Sequence, residues 1–216
     1  LGGTFDPIHF GHLRPALEVY QALNLQEVRL IPARVPPHRR PPLASAEQRL
    51  AMVRAAIAGE PGLSVDTREL ERAGPSYTMD TLTSLRAELG PTPLCLIVGL
   101  DTLGTLHTWH RWKEFLQLGH LVVVQRPGAI PPTEGEVAEQ LRGRSTEDAA
   151  RLALRPAGLV LHLPVTQFGI SGSYIRTLLA AGKSPRYLLP DGVWEIIKQQ
   201  GIYCGYRVSD KETGIR

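Results

Sequence analysis

The chain has 216 residues, which suits one domain around one core and excludes an assembly of several large domains. Apolar residues make up 43% of it, enough for a core, yet runs such as 94–98 fall far short of the roughly 20 residues of a membrane span. Lysine and arginine outnumber aspartate and glutamate by 24 to 21 and are spread along the chain, so the dense basic stripe of a nucleic-acid binder is missing.

In chain order, short apolar runs at 28–31, 63–65, 94–98, 121–124 and 159–163 read as strands separated by helical patterns. That alternation predicts an α/β fold, doubly wound, with a mostly parallel sheet flanked by helices, because strands apolar throughout need cover on both faces. A helix is predicted from Ala46 to Gly59, opened by Ser45 and Gln48 at capping-box spacing. A second runs from Tyr77 or Thr78 to Leu89, before Gly90. Residues 126–135, rich in proline, read as a connector before a polar helical stretch reaching about Leu154. The last helix, about Pro190 to Gln200, has proline at its start and Gly201 after its end. Residues 1–203 are expected to form one domain, with 204–216 a polar, mobile tail.

Cys95 and Cys204 lie far apart without metal-ligand spacing, so neither a zinc site nor a disulfide framework is expected. The chain opens without a basic region, an apolar stretch and a cleavage site, so the cytoplasm is the expected compartment.

Five clusters could carry chemistry. In Gly2-Gly3-Thr4-Phe5-Asp6-Pro7-Ile8-His9-Phe10-Gly11-His12, paired glycines permit close backbone approach, and two imidazoles three residues apart stand at a helix entry, a place that attracts phosphate. The plain alternative is a glycine turn capped by one histidine. Pro36-Pro37-His38-Arg39-Arg40-Pro41-Pro42 is either a stiff basic clamp or a solvated basic loop. Ser76-Tyr77-Thr78-Met79-Asp80-Thr81-Leu82 looks like ordinary helix capping. Gly99-Leu100-Asp101 follows a strand, where an α/β sheet binds ligands, and Trp109 could stack on a flat ring or pack in the core. His107 and His110 read as a solvated helical face. In Ile170-Ser171-Gly172-Ser173-Tyr174-Ile175-Arg176, hydroxyls at a helix start and an arginine one turn in can hold a polyphosphate, or merely cap the helix.

Together these segments resemble the bacterial nicotinate-nucleotide adenylyltransferases, a family of the nucleotidylyltransferase superfamily marked by H-x-G-H, here His9 to His12. The resemblance continues through Leu189-Pro190 and Ile202-Tyr203 and covers about residues 1–203. It implies a Rossmann-like nucleotidylyltransferase fold and the reaction of ATP with nicotinate mononucleotide to give deamido-NAD and pyrophosphate. It further implies direct in-line attack, Mg²⁺ as cofactor with ATP, and no protein metal ligands. His9, His12 and Arg176 would be catalytic. Gly2, Gly3, Thr4, Phe5, Gly11, Arg39, Ser171 and Ser173 would bind ATP, and Thr78, Asp101 and Trp109 the nicotinate nucleotide. Relatives carry a short apolar strand ahead of the glycine pair, whereas only Leu1 precedes it here; a complete chain would lack that supporting strand, so a truncated sequence or unusual numbering is expected.

ATP and nicotinate mononucleotide are the expected partners, with neither nucleic acid nor membrane, and a homo-oligomer is compatible with the sequence. Three other readings stand beside this one: an adenylyltransferase preferring nicotinamide mononucleotide or another phosphorylated acceptor, a non-catalytic ATP-binding sensor, and RNA binding through the basic loop.

Overall fold

The computed structural model describes residues 1–37, 40–125, 129 and 133–204. Seven strands and nine α-helices follow one another among these residues. They are β1 (Gly2–Gly3), α1 (Phe10–Ala22), β2 (Val28–Pro32), α2 (Ala46–Ala56), β3 (Leu63–Val65), α3 (Arg68–Glu71), α4 (Thr78–Leu89), β4 (Cys95–Gly99) and α5 (Leu100–Leu103), then α6 (Phe115–Leu118), β5 (His120–Gln125), α7 (Glu136–Leu141), β6 (Ser145–Thr146), β7 (Val160–Pro164), α8 (Gly172–Ala180) and α9 (Asp191–Gln200). No described helix is long and apolar enough to cross a membrane.

Every strand pair is parallel. β1-β2-β3 form one hydrogen-bonded set and β4-β5-β7-β6 another, with Gly2 opposite Ile31, Val28 opposite Leu63, Cys95 opposite His120 and Leu121 opposite Val160. The predicted single sheet is therefore two ladders. The glycine pair itself forms the short strand β1 beside β2, and the Leu1 carbonyl accepts from the Ile31 amide.

One core joins both ladders. Val28 and Leu30 of β2 pack in it with Ile97, Val122, Val124 and Leu161 of the second set, beneath α1, α2 and α9. On the opposite face Leu96, Val98, Leu121, Val123 and Val160 pack against Met79 and Leu82 of α4 and against Leu106, Trp112 and Phe115. Successive residues of β4 and β5 thus serve opposite cores, which is why these strands read as unbroken apolar runs.

The capping box of α2 is present: the Gln48 amide donates to Ser45 Oγ at 3.2 Å, and the Ser45 amide donates to Gln48 Oε1 at 2.9 Å. The helix ends at Ala56, three residues short of the predicted Gly59, because the chain turns at Ile57 and Gly59 serves that turn with φ +85°. Pro190 is the N-cap of α9 and Gly201, at φ +61°, ends it. The single polar helix predicted up to Leu154 is broken into α7, the strand β6 and a 3-10 turn over Ala149–Leu154, because Ser145 and Thr146 pair with the edge of β7. The tail beyond Cys204 lies outside the described residues, as do residues 126–128 and 130–132 of the connector.

Ser45→Ala removes the side-chain half of the capping box. A urea titration should show about 1 kcal/mol less stability with the near-UV circular dichroism of the folded state unchanged.

Candidate active site

The segment after β1 is held from below by its own apolar residues. Phe5 is 1% exposed and Ile8 is fully buried, each worth roughly 1.5–3 kcal/mol of burial. What Phe5 can offer a ligand is its main chain, bent outward at φ +51°. Its ring lies under Gly3, where a Cβ would come within 2.7 Å of it, and meets the His12 ring edge-on at 5.2 Å. His9 is the N-cap residue of α1, without a side-chain capping bond, and His12 stands one turn on. Their rings stack with centroids 3.8 Å apart. Gly11 makes that possible, since a Cβ there would lie 2.9 Å from His9 Nδ1 and 3.2 Å from the Ile170 carbonyl. The two histidines of H-x-G-H are thus one paired surface at the positive end of a thirteen-residue helix.

Asp6 ties this segment to distant parts of the chain. Its carboxylate, 8% exposed as a residue, accepts from the amides of Leu43 (2.9 Å) and Ala44 (3.1 Å) and from the Tyr203 hydroxyl (2.7 Å). Its main-chain oxygen accepts from Arg176 Nη1 at 2.7 Å, and Arg176 Nη2 donates to Ser173 Oγ at 3.2 Å. Arg176 and Ser173 on α8 are therefore seated directly beside the histidine segment. Ser171 is the N-cap of α8, its hydroxyl accepting from the Tyr174 amide.

Arg49 on α2, only 1% exposed, donates to the carbonyls of Thr4 (2.8 Å), Ala33 (2.6 Å), Ala44 (3.3 Å) and Arg34 (3.4 Å). One guanidinium thus joins the turns after β1 and β2 to the start of α2. Burial lowers its pKa, and the Asp6 carboxylate opposes that shift.

The turn after β2 is joined in turn to the start of α4. Ser76 does not cap that helix: its Oγ accepts from the Arg34 amide at 2.9 Å, and its own amide donates to the Val35 carbonyl. Tyr77 is the N-cap position, Thr78 the first helical residue, and Thr81 Oγ1 donates to the buried Glu69 at 2.6 Å. The Tyr77 ring packs on that of His110 at 4.6 Å, which brings the SYTxDTL segment against the tryptophan segment. There Trp112 is in the core and Trp109 is half-buried against it. Asp101 is exposed in the first turn of α5, immediately beyond β4. Arg39 lies outside the described residues.

Four of the five clusters follow the carboxyl ends of parallel strands and the fifth opens α4, where an α/β sheet gathers its ligand loops. Arg176 on Asp6, Arg49 on two turns, Ser76 on the Arg34 turn and Tyr77 on His110 link the four clusters other than the proline-rich basic one through the turn after β2. Burial first, and the neighbouring His12 ring second, lower the His9 pKa to about 2, so His9 is a neutral imidazole at physiological pH. Its Nδ1 is buried and without a hydrogen-bond partner among the described residues, a cost tolerated at functional sites. Arg176 and the α1 terminus supply positive charge among the described residues, and the arrangement suits a polyphosphate. No group of three or more His, Cys, Asp or Glu side chains that could hold a metal occurs among the described residues.

Asp6, Arg49, Tyr203, Tyr77 and His110 are the positions that sequence reasoning left without a role. Arg49 had a signal, since it shares a helix face with the buried Met52 and Val53, where an arginine must be satisfied internally. Asp6 lay inside the quoted motif. Tyr203, 197 residues from its partner, had none.

Residues 1–178 match the family model for cytidylyltransferase-like proteins. A protein of Aeromonas salmonicida named "Probable nicotinate-nucleotide adenylyltransferase" is 54% identical over 203 residues, covering 94% of this chain and 95% of that one. One of Methylococcus capsulatus with the same name is 47% identical over 204 residues, covering 94% and 97%. Among solved structures, the Plasmodium falciparum nicotinic acid mononucleotide adenylyltransferase complexed with NaAD superposes with a TM-score of 0.70 at 14% identity, over 94% of both chains. At that identity the likeness concerns the fold, which is that of a Rossmann-like nucleotidyltransferase.

The unfolded chain protonates His9 near the ordinary 6.5, whereas the native state resists protonation down to about 2. Its contribution to stability is complete above pH 6.5 and is lost as the pH falls below it. Urea titrations from pH 7 toward about pH 4 should show falling stability, with a shallower fall in His9→Asn. Equal slopes in the two proteins would contradict the buried neutral imidazole.

Proposed function

Since the chain belongs to the cytidylyltransferase-like family, and within it to the nicotinate-nucleotide adenylyltransferases, we infer that it transfers the adenylyl group of ATP to nicotinate mononucleotide, releasing pyrophosphate and forming deamido-NAD. The observation that carries this reading is near-complete coverage of relatives so named at about half identity, together with the stacked His9–His12 pair beside Arg176 and Ser173.

The acceptor phosphate is already anionic, so the protein needs to supply position and charge rather than an activated nucleophile. In our reading the acceptor oxygen attacks the α-phosphorus in line, a P–O bond forms, and the bond to the leaving pyrophosphate breaks. His12 and the neutral His9 donate hydrogen bonds to phosphoryl oxygens as charge develops. Arg176, with Ser173 and Ser171 at the start of α8, neutralises the triphosphate. Gly2, Gly3, Thr4, Phe5 and Gly11 offer the nucleotide a main-chain surface, and Arg39 approaches the phosphates. Thr78, Asp101 and Trp109 form the acceptor pocket, where Trp109 supplies the aromatic face and main-chain amides read the nicotinate carboxylate. Mg²⁺ carried by ATP would supply further charge neutralisation to the phosphates held beside Arg176 and Ser173.

Purified protein given ATP and Mg²⁺ with nicotinate or nicotinamide mononucleotide in parallel should form dinucleotide and pyrophosphate in equal amounts. The kcat/KM should favour the nicotinate substrate. Preference for the nicotinamide substrate would move the assignment to the sister specificity, and ATP binding without product would make the protein a sensor. Trp109→Ala should raise the KM for nicotinate mononucleotide more than that for ATP, and equal effects would remove Trp109 from the acceptor pocket. His12→Ala should lower kcat by about 10²-fold or more, the scale of losing a transition-state donor. An unchanged kcat would remove that role.

A further inference from the structure

We propose that Glu69 is a positioning residue for the acceptor: its buried carboxyl group holds the hydroxyls of Thr81 and Ser76 and so fixes the turn between them, which carries Tyr77 and Thr78, for nicotinate mononucleotide. The proposal rests on the assignment of Thr78 to the acceptor pocket given above.

α4 opens without help from its own cap, since Tyr77 stands at the N-cap position and makes no side-chain capping bond. Such a start must be held by other parts of the chain if its groups are to keep one place. Glu69, on the short helix α3, supplies that hold. It is 6% exposed, and its Oε1 accepts from Thr81 Oγ1, one turn inside α4, at 2.6 Å. Thr81 Oγ1 accepts in turn from Arg72 Nη2 at 3.2 Å, which leaves the threonine proton for Glu69.

On the other side of Tyr77, the Ser76 oxygen accepts from the amides of Arg34 at 2.9 Å and Val35 at 3.4 Å. With both lone pairs engaged, the Ser76 hydroxyl has its proton left to give. Burial raises the Glu69 pKa, and the hydroxyls of Thr81 and then Ser76 act against that shift. One buried acid thus grips the chain on either side of Tyr77 and Thr78. Because Ser76 also carries the Arg34 turn, the same carboxyl group sets how α4 meets the end of β2. The other ties of α3 are of a different kind. Arg68 pairs with Glu88 at 2.7 Å and donates to Ser84 at 2.9 Å, but Glu88 is exposed and such pairs contribute little. They dock α3 along the later turns of α4, away from its start.

Glu69→Gln keeps the shape and one acceptor, and replaces the other oxygen by a donor that Ser76, already engaged by two amides, cannot accept. In the full chain the KM for nicotinate mononucleotide should rise about tenfold, with the KM for ATP within about twofold and the melting temperature lowered by a few degrees. In a Ser76→Ala background the same substitution should raise the nicotinate-nucleotide KM by less than about threefold, because the hydroxyl it disturbs is gone. Arg68→Ala, which loosens α3 without touching the start of α4, should leave both KM values within about twofold. Equal rises in both KM values, effects multiplying independently with Ser76→Ala, or the same KM split in Arg68→Ala would each overturn the proposal. Thr81→Val deletes one of the two held hydroxyls and keeps the test open if Glu69→Gln fails to fold. It should raise the nicotinate-nucleotide KM about threefold or more with the KM for ATP unchanged, and an unchanged acceptor KM there would overturn the proposal as well. The Kd for nicotinate mononucleotide, measured by calorimetry, should rise by the same factors and needs no turnover. A wild-type protein that binds this nucleotide and forms no dinucleotide would therefore refute the reaction, while the ratio of variant to wild-type Kd still decides the role of Glu69.

Discussion

A buried carboxylate needs partners, and Asp6 has found them in segments that the chain would otherwise leave separate. The amides of Leu43 and Ala44, from the entry to α2, and the hydroxyl of Tyr203, beyond α9, donate to the carboxylate, while the guanidinium of Arg176 on α8 donates to the Asp6 main-chain oxygen and stands 3.9 Å from Oδ2. Each would pay a desolvation cost of roughly 1–3 kcal/mol if left unpaired, so they are satisfied together or not at all. Arg49 answers from the other side with four main-chain carbonyls, including that of Thr4. The acid and the base are both inside, and between them they hold the histidine segment on both flanks.

This frame explains why the catalytic segment can be so irregular. A left-handed Phe5, a helix begun without a side-chain cap and a buried imidazole nitrogen without a partner are each unfavourable locally. They persist because Phe5 and Ile8 are sunk in the core and Asp6 is bonded on both oxygens. The His9–His12 pair is thereby pre-organised, with the closeness of the rings set by the missing side chain of Gly11. A site whose work is holding several phosphates in place gains from such rigidity, because its donors need no reorganisation as charge moves.

The side formed by Tyr77, His110 and Trp109 is built differently. Trp109 packs against a second apolar cluster that includes Trp112, Met79 and Leu82, and the Tyr77 ring packs on that of His110. Ser76 is the link between the two sides, since its hydroxyl binds the turn that Arg49 also binds. The histidine side thus depends on charged groups satisfied inside the protein, and the Tyr77–Trp109 side on aromatic packing.

Strand positions, the capping box of α2 and the extent of α4 were legible in the sequence because periodicity and capping are local and leave a local record. The five ligand clusters were legible as motifs for the same reason, and each taken alone admitted a plain structural reading. Tertiary structure decided how particular residues are used: Ser76 became a tie rather than a helix cap, Trp112 a core residue, and the polar stretch before Leu154 broke where β7 offered an edge. The roles of Asp6, Arg49 and Tyr203 left almost no trace in local pattern, because a buried charge is tolerated only by partners that folding assembles, here up to 197 residues away. The sequence by itself determined the elements and the chemistry they carry, while the tertiary structure alone decided how those groups are held, since hydrogen-bond satisfaction is a property of the assembled interior and not of any segment.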